Sequence, residues 1–205
     1  MPDDVDDNVS AVLDTYHARM KDERRSRGSG TGDWHDQQLL AVGPETGRLI
    51  NIIARSLEAP TILEIGTSFG YSGIWLAEAA RASGGRVITM EMHQHKSDYA
   101  RDMARKAGLA DVIDFRVGDA VQMIAQMPRG IDFVLLDLWK DLYIPCLEAF
   151  YPKLNPGAII VADNMLRPRG ESVNQYARAV RAKTGMSSVL LPVGTGIEIT
   201  RYIPN

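Results

Sequence analysis

Asp137, Asp163 and Asn164 each follow a short apolar run, Phe133-Val134-Leu135-Leu136 for the first and Ala158-Ile159-Ile160-Val161-Ala162 for the other two. If those runs are adjacent parallel strands, the three side chains offer oxygen donors to one point. Hard oxygen donors with room for waters suit Mg²⁺, and also Mn²⁺ or Ca²⁺, rather than zinc. Taken singly, each residue is also an ordinary cap or turn former. Lys140 stands three residues beyond Asp137. By itself, a loop lysine reads as solvated charge.

A second group begins at Leu63-Glu64-Ile65-Gly66 and runs through Gly70, Tyr71 and Ser72. Glycines let the chain reverse tightly and bring backbone N–H groups close to a ligand. The spacing, E-x-G-x-x-x-G, is wider than the dinucleotide fingerprint G-x-G-x-x-G. Glu91 lies about 25 residues past Gly66, at the end of the next apolar run, where an acid accepts from ribose hydroxyls. Asp119, in Gly118-Asp119-Ala120, suits a helix N-cap.

These residues need elements to position them. Apolar runs predict strands over 61–65, 86–90, 112–117, 131–136 and 158–162. Helical patterns near 71–82, 94–107, 119–127, 141–152 and 171–184 separate and follow them. Strands 188–191 and 196–203 predict a closing antiparallel hairpin. Ahead of this lie an amphipathic helix carrying Val9, Val12, Leu13, Tyr16 and Met20, and another that starts at Pro44 and stops before Pro60. The expected fold is a doubly wound α/β sheet of seven mostly parallel strands. In such sheets ligands sit outside the carboxyl ends of the strands, and Asp119, Asp137, Lys140, Asp163 and Asn164 all follow such ends.

With Glu91, the motif Glu64-x-Gly66-x-x-x-Gly70 resembles the S-adenosylmethionine-dependent methyltransferases. Asp137, Trp139, Lys140, Asp141 and Tyr143, followed by Asp163-Asn164 and Pro168, are similar to the metal-dependent catechol and caffeoyl-CoA O-methyltransferases. The resemblance covers about residues 40 to 168 and is faint at both ends. It implies that S-adenosylmethionine is held by Val42, Glu64, Gly66, Gly70, Tyr71, Ser72, Glu91, Asp119 and Asp137. Asp119 would lie near the adenine, and Glu64 would either orient the turn or meet the amino-acid end. It implies Mg²⁺ on Asp137, Asp163 and Asn164, Lys140 as general base, and a phenolic substrate against Trp139, Lys140, Asn164 and Pro168. The reaction implied is methyl transfer to a hydroxyl of a vicinal diphenol. Leu138 departs from the pattern by making the adenine contact apolar. The segment 187–191 carries no acid for a second substrate hydroxyl. Arg167 and Arg169 flank Pro168, where they either meet a substrate carboxylate or are solvated.

A chain of 205 residues suits one domain, read as an N-terminal helical segment over 1–59 and an α/β core over 60–205. A net charge of −3 lacks the basic excess of a nucleic-acid binder. The lone Cys146 falls in an apolar pattern and reads as core. An acidic start and the lack of any long apolar run predict a cytoplasmic location without membrane contact. The amphipathic first helix suits a homodimer interface. The glycine-rich 28–32 loop suits a lid, with Trp34 and His35 beside it. Three alternatives stand beside this reading: methylation of a non-catechol hydroxyl in a natural product, a cofactor-binding protein without turnover, and a dinucleotide oxidoreductase.

Overall fold

A computed structural model describes residues 6–26, 38–168 and 170–204. The 28–32 loop, Trp34, His35 and Arg169 lie outside the described residues. Two helices come first, α1 (Asp7–Ser26) and α2 (Pro44–Arg55). Strand and helix then alternate through β1 (Thr61–Ile65), α3 (Tyr71–Ser83), β2 (Arg86–Glu91), α4 (Gln94–Lys106), β3 (Ile113–Val117), α5 (Ala120–Gln126), β4 (Ile131–Leu136), α6 (Tyr143–Phe150), β5 (Leu154–Ala162) and α7 (Glu171–Ala182). β6 (Met186–Leu191) and β7 (Ile197–Tyr202) end the chain.

The strands form one seven-stranded sheet in the order β3-β2-β1-β4-β5-β7-β6. The first five pair in parallel, and β7 lies antiparallel between β5 and the edge strand β6. Successive strands move outward on one side of β1 and then restart on its other side with β4. In doubly wound sheets such a reversal, here between β1 and β4, is where ligands bind at the carboxyl ends of the strands.

Period-two alternation divides the apolar residues between the two faces of the sheet. Ile62, Phe133, Leu135 and Val161 pack with α1, α2 and α3 on one side. Leu63, Ile65, Val134, Leu136 and Ile160 pack with α6 and α7 on the other. With helices on both faces, the central strands are apolar on both, as parallel sheets require. The apolar face of α1 is used within the chain, because Val9, Val12, Leu13 and Tyr16 are all buried. Cys146 is buried in the second core, as expected.

Of the elements with expected bounds, two differ in length by four residues, the others by two or fewer. β5 starts at Leu154, four residues early, because Leu154 pairs with Ile131 before Asn155-Pro156-Gly157 shifts the register. Pro-Gly reads as a turn in sequence, and it sits here as an irregularity within a strand. The expected helix 141–152 is shorter, with 3₁₀ turns at Lys140–Leu142 and Tyr151–Lys153 on either side. Pro152 ends it, lacking the N–H that would continue the ladder.

Candidate active site

The sheet register aligns the candidate residues. Ile65 pairs with both Met90 and Leu136, and Leu136 pairs with Ala162, so the strands end nearly level. The ladder runs one residue further: Gly66 N–H donates to Met90 O (3.0 Å), Asp137 N–H to Ile65 O (3.0 Å) and Asp163 N–H to Leu136 O (3.1 Å). Gly66, Glu91, Asp137 and Asp163 therefore stand on one rim.

Gly66 has φ 106°, and a Cβ there would lie 2.0 Å from the Asp137 carbonyl oxygen. Only glycine fits so close an approach between two strand ends. Beneath the turn, fully buried Glu64 accepts from Ser72 Oγ (2.6 Å) and from Thr89 Oγ1 (2.5 Å). Burial pushes its carboxyl up to about 7, and the nearby Glu91 charge adds to this. Both Glu64 oxygens are engaged inside the protein, which is the geometry of a brace joining β1, β2 and α3. The Tyr71 hydroxyl lies 3.0 Å from His17 Nε2 on α1. The side chains of Tyr71 and Ser72 thus point to protein partners. Their backbone N–H groups, in the first turn of α3, have no carbonyl one turn earlier within the helix and suit an anionic group.

Glu91 accepts from Ser68 N–H (2.8 Å) and His93 N–H (3.0 Å), which fixes its carboxylate at the end of β2. Ser68 has φ 47° and donates to Leu39 O (2.9 Å), tying the turn to the segment that carries buried Val42. Asp119 caps α5, its Oδ1 accepting from Gln122 N–H (2.9 Å). One carboxylate oxygen suffices for the cap, so the two roles expected of Asp119 are compatible.

The second cluster joins β4, β5 and two loops. Lys140 Nζ donates to Asn164 Oδ1 (2.6 Å) and Leu138 O (3.2 Å), meets the Tyr143 hydroxyl, and lies 3.8 Å from Asp137 Oδ1. The Tyr143 hydroxyl is 3.0 Å from both Leu136 O and Asp163 O, bridging the ends of β4 and β5. Thr195, from the β6–β7 turn, donates to Asp163 Oδ1 (3.1 Å) and accepts from Asn164 Nδ2 (2.8 Å). Asn164 holds φ 55°, a conformation that asparagine tolerates better than most residues. Trp139 is 65% exposed beside this cluster, and Pro168 is exposed after a cis peptide bond.

Burial, and then the neighbouring Asp163 charge, raise the Asp137 carboxyl to about 7. Burial raises Asp163 as well and lowers the Lys140 amine, against the pull of both acids. Two largely buried carboxyls, both raised by burial and one of them also by the other's charge, with an amide oxygen alongside, form a donor set that a hard cation would relieve. Among the described residues, no group of three or more His, Cys, Asp or Glu side chains could hold a metal. A cation here would rest on two acids and an amide, completed by water or substrate oxygens.

The expected residues thus fall into two adjoining groups, the glycine turn with Glu91 and the acidic rim with Lys140. Thr195 and Ser68 were not singled out from sequence, and Tyr143 was matched without a role. Thr195 is separated from Asn164 by 31 residues, and nothing in the turn 192–196 advertises the contact.

A family model described as O-methyltransferase matches residues 27–203. The chain belongs to the O-methyltransferase family. Within it, the chain is 33% identical over 132 residues to a catechol O-methyltransferase of Mycobacterium tuberculosis, covering 64% of this chain and 60% of that protein. The chain therefore spans about three fifths of that relative's length. A caffeoyl-CoA O-methyltransferase of Eucalyptus globulus is 26% identical over 191 residues, covering 82% of this chain and 77% of the relative. Among solved structures, a Bacillus cereus O-methyltransferase in complex with SAH superposes with TM-score 0.77 at 25% identity, covering 98% of this chain and 93% of the other. TomG of Streptomyces achromogenes, in complex with SAM and involved in tomaymycin synthesis, gives 0.75 at 25% identity, covering 97% and 90%. The resemblance seen in residues 40–168 thus extends in fold over nearly the whole chain. No helix among the described residues is long and apolar enough to cross a membrane.

Proposed function

We propose that this protein transfers the methyl group of S-adenosylmethionine to a hydroxyl of a small vicinal diphenol, with a divalent cation on Asp137, Asp163 and Asn164 and Lys140 as base. The convergence of Asp137, Lys140, Asp163 and Asn164 beside the glycine turn carries the reading. The complexes of structural neighbours with SAH and SAM, and the catechol and caffeoyl-CoA names of relatives, support the cofactor and the substrate class.

S-adenosylmethionine supplies an electrophilic methyl, and the cation supplies charge that acidifies a hydroxyl beside it. The chain's residues do the rest. The first N–H groups of α3 receive a carboxylate, and Glu91 receives ribose hydroxyls. A phenol is a weak nucleophile at neutral pH, because its ordinary pKa is near 10. Lys140, its amine lowered by burial, takes the hydroxyl proton on Nζ. Asn164 and Tyr143 hold that nitrogen in place, while Trp139 and Pro168 offer apolar walls. Most of the rate gain is then positioning and charge stabilisation.

The test is methylation of caffeic acid with Mg²⁺ or with EDTA, by wild type and Lys140→Ala. Product that EDTA abolishes and Lys140→Ala reduces by about 10²–10⁴ is expected. Undiminished product in EDTA refutes the cation. Cofactor binding without product across a panel of vicinal diphenols moves the acceptor elsewhere. TomG's involvement in tomaymycin synthesis supports, as a second reading, a natural-product hydroxyl, which a panel lacking vicinal diphenols would detect.

A further inference from the structure

We propose that Thr195 is the positioning residue that orients the Asp163–Asn164 pair toward the cation and Lys140, an inference that rests on the function proposed above. An asparagine side chain can present either its oxygen or its NH₂ group to a site, and only the oxygen serves a cation. The Thr195 hydroxyl has one hydrogen, which goes to Asp163 Oδ1 at 3.1 Å. Only lone pairs remain for Asn164, so the group facing Thr195 must be the donor, Nδ2, at 2.8 Å. The amide oxygen then faces the opposite way, where Lys140 Nζ meets it at 2.6 Å. The Thr195 hydroxyl thereby acts with Lys140 Nζ, which can only donate, and with Asp163 Oδ2, 3.3 Å from Nδ2, to hold the orientation of a candidate ligand and of the candidate base's partner.

The hydroxyl has little freedom to choose otherwise. The Thr195 carbonyl accepts from Leu166 N–H (3.0 Å) and Arg167 N–H (2.9 Å), and Gly196 O accepts from Met165 N–H (2.8 Å). Three successive amides after Asn164 are thus clamped to the β6–β7 turn, just ahead of Pro168. The turn is wedged at both glycines. A Cβ on Gly194 would lie 2.7 Å from Thr46 Oγ1 of α2, and one on Gly196 would lie 2.5 Å from the Leu166 side chain. The turn that carries Thr195 therefore joins the end of β5, the loop to Pro168 and, through Gly194, the N-terminal end of α2.

Mn²⁺ titration of the S-adenosylmethionine-free protein, followed by electron paramagnetic resonance, tests this apart from turnover. Thr195→Val keeps the shape and removes the hydroxyl. Its Mn²⁺ dissociation constant is expected to rise by about 10–100-fold, while calorimetric affinity for S-adenosylmethionine stays within about twofold of wild type. Thr195→Ser restores the hydroxyl and should return Mn²⁺ affinity to within about threefold of wild type. If Thr195→Val does not fold, Thr195→Ala carries the same comparison. Mn²⁺ affinity of the valine or alanine variant equal to wild type, or a serine variant as impaired as valine, overturns the proposal alone. A wild type that binds no Mn²⁺ overturns the cation reading and this proposal together.

Discussion

Gly66→Ala tests whether the two halves of the site are locked together at one atom-to-atom contact. The added Cβ would fall 2.0 Å from the Asp137 carbonyl oxygen and 2.7 Å from its carbon. Real Cβ atoms essentially never come closer than 3.0 Å, so the strand ends must part by about 1 Å. The obstructing atoms are backbone, and no rotamer change relieves them. Parting them weakens the bond from Asp137 N–H to Ile65 O, a loss of about 1 kcal/mol. Holding alanine at φ 106° costs about 1–3 kcal/mol more. The expected destabilisation is about 2–4 kcal/mol by urea unfolding. The same displacement carries the Asp137 carboxylate away from Asp163 and Lys140, so affinity for S-adenosylmethionine should fall at least about tenfold and turnover about 10²-fold. Gly84→Ala is the matched control: φ is 73°, but nothing lies within 4 Å of its Cβ. It should lose only about 1 kcal/mol and bind cofactor normally. If Gly66→Ala is no less stable than Gly84→Ala and binds cofactor as wild type does, the locked-rim reasoning is wrong.

Two further perturbations separate the brace from the base. In metal-free buffer, thermal stability should decline as pH rises from about 5 to about 7.5. Glu64, Asp137 and Asp163 keep their protons in the folded state to higher pH than in the unfolded chain, so the stabilisation is complete below the unfolded values and is lost through the folded ones. Glu64→Gln should flatten this decline by on the order of 3 kcal/mol, from its rise of 4.5 to about 7. A wild-type melting temperature that holds or climbs over that range contradicts the burial argument. Tyr143→Phe removes the hydroxyl between Leu136 O, Asp163 O and Lys140. It should cost about 1–3 kcal/mol and lower kcat/KM about tenfold or more, with cofactor affinity unchanged. Equal loss of cofactor affinity in a calorimetric titration would show that the two groups do not act separately.

The strands and the glycine turn were legible because their signals are local. Phe133-Val134-Leu135-Leu136 is apolar at every position, as a strand buried on both faces must be. Gly66 stands where backbone must approach backbone and Gly70 where Ala100 of α4 packs against it, so residue type alone marked them. The polar residues at strand ends were legible for the same reason, since a doubly wound sheet collects its ligands at one edge. The start of β5 is not legible in the same way, because Pro156-Gly157 makes a turn signal that tertiary pairing overrides.

Side-chain direction was not legible. Tyr71 and Ser72 lie in the cofactor motif, yet their hydroxyls meet His17 and Glu64. The apolar face of α1, which suits a partner helix equally well on paper, is consumed against the chain's own α3 and α4. By itself, then, the sequence determined the order of elements, the edge on which the chemistry gathers, and the residue types available there. The tertiary structure alone decided the rest. β7 inserts between β5 and β6, which brings the turn 192–196 to the end of β5 and sets the Thr195 hydroxyl on Asp163 and Asn164. That contact spans more than thirty residues and is made by one hydroxyl with no periodic pattern behind it, so only the folded sheet reveals it.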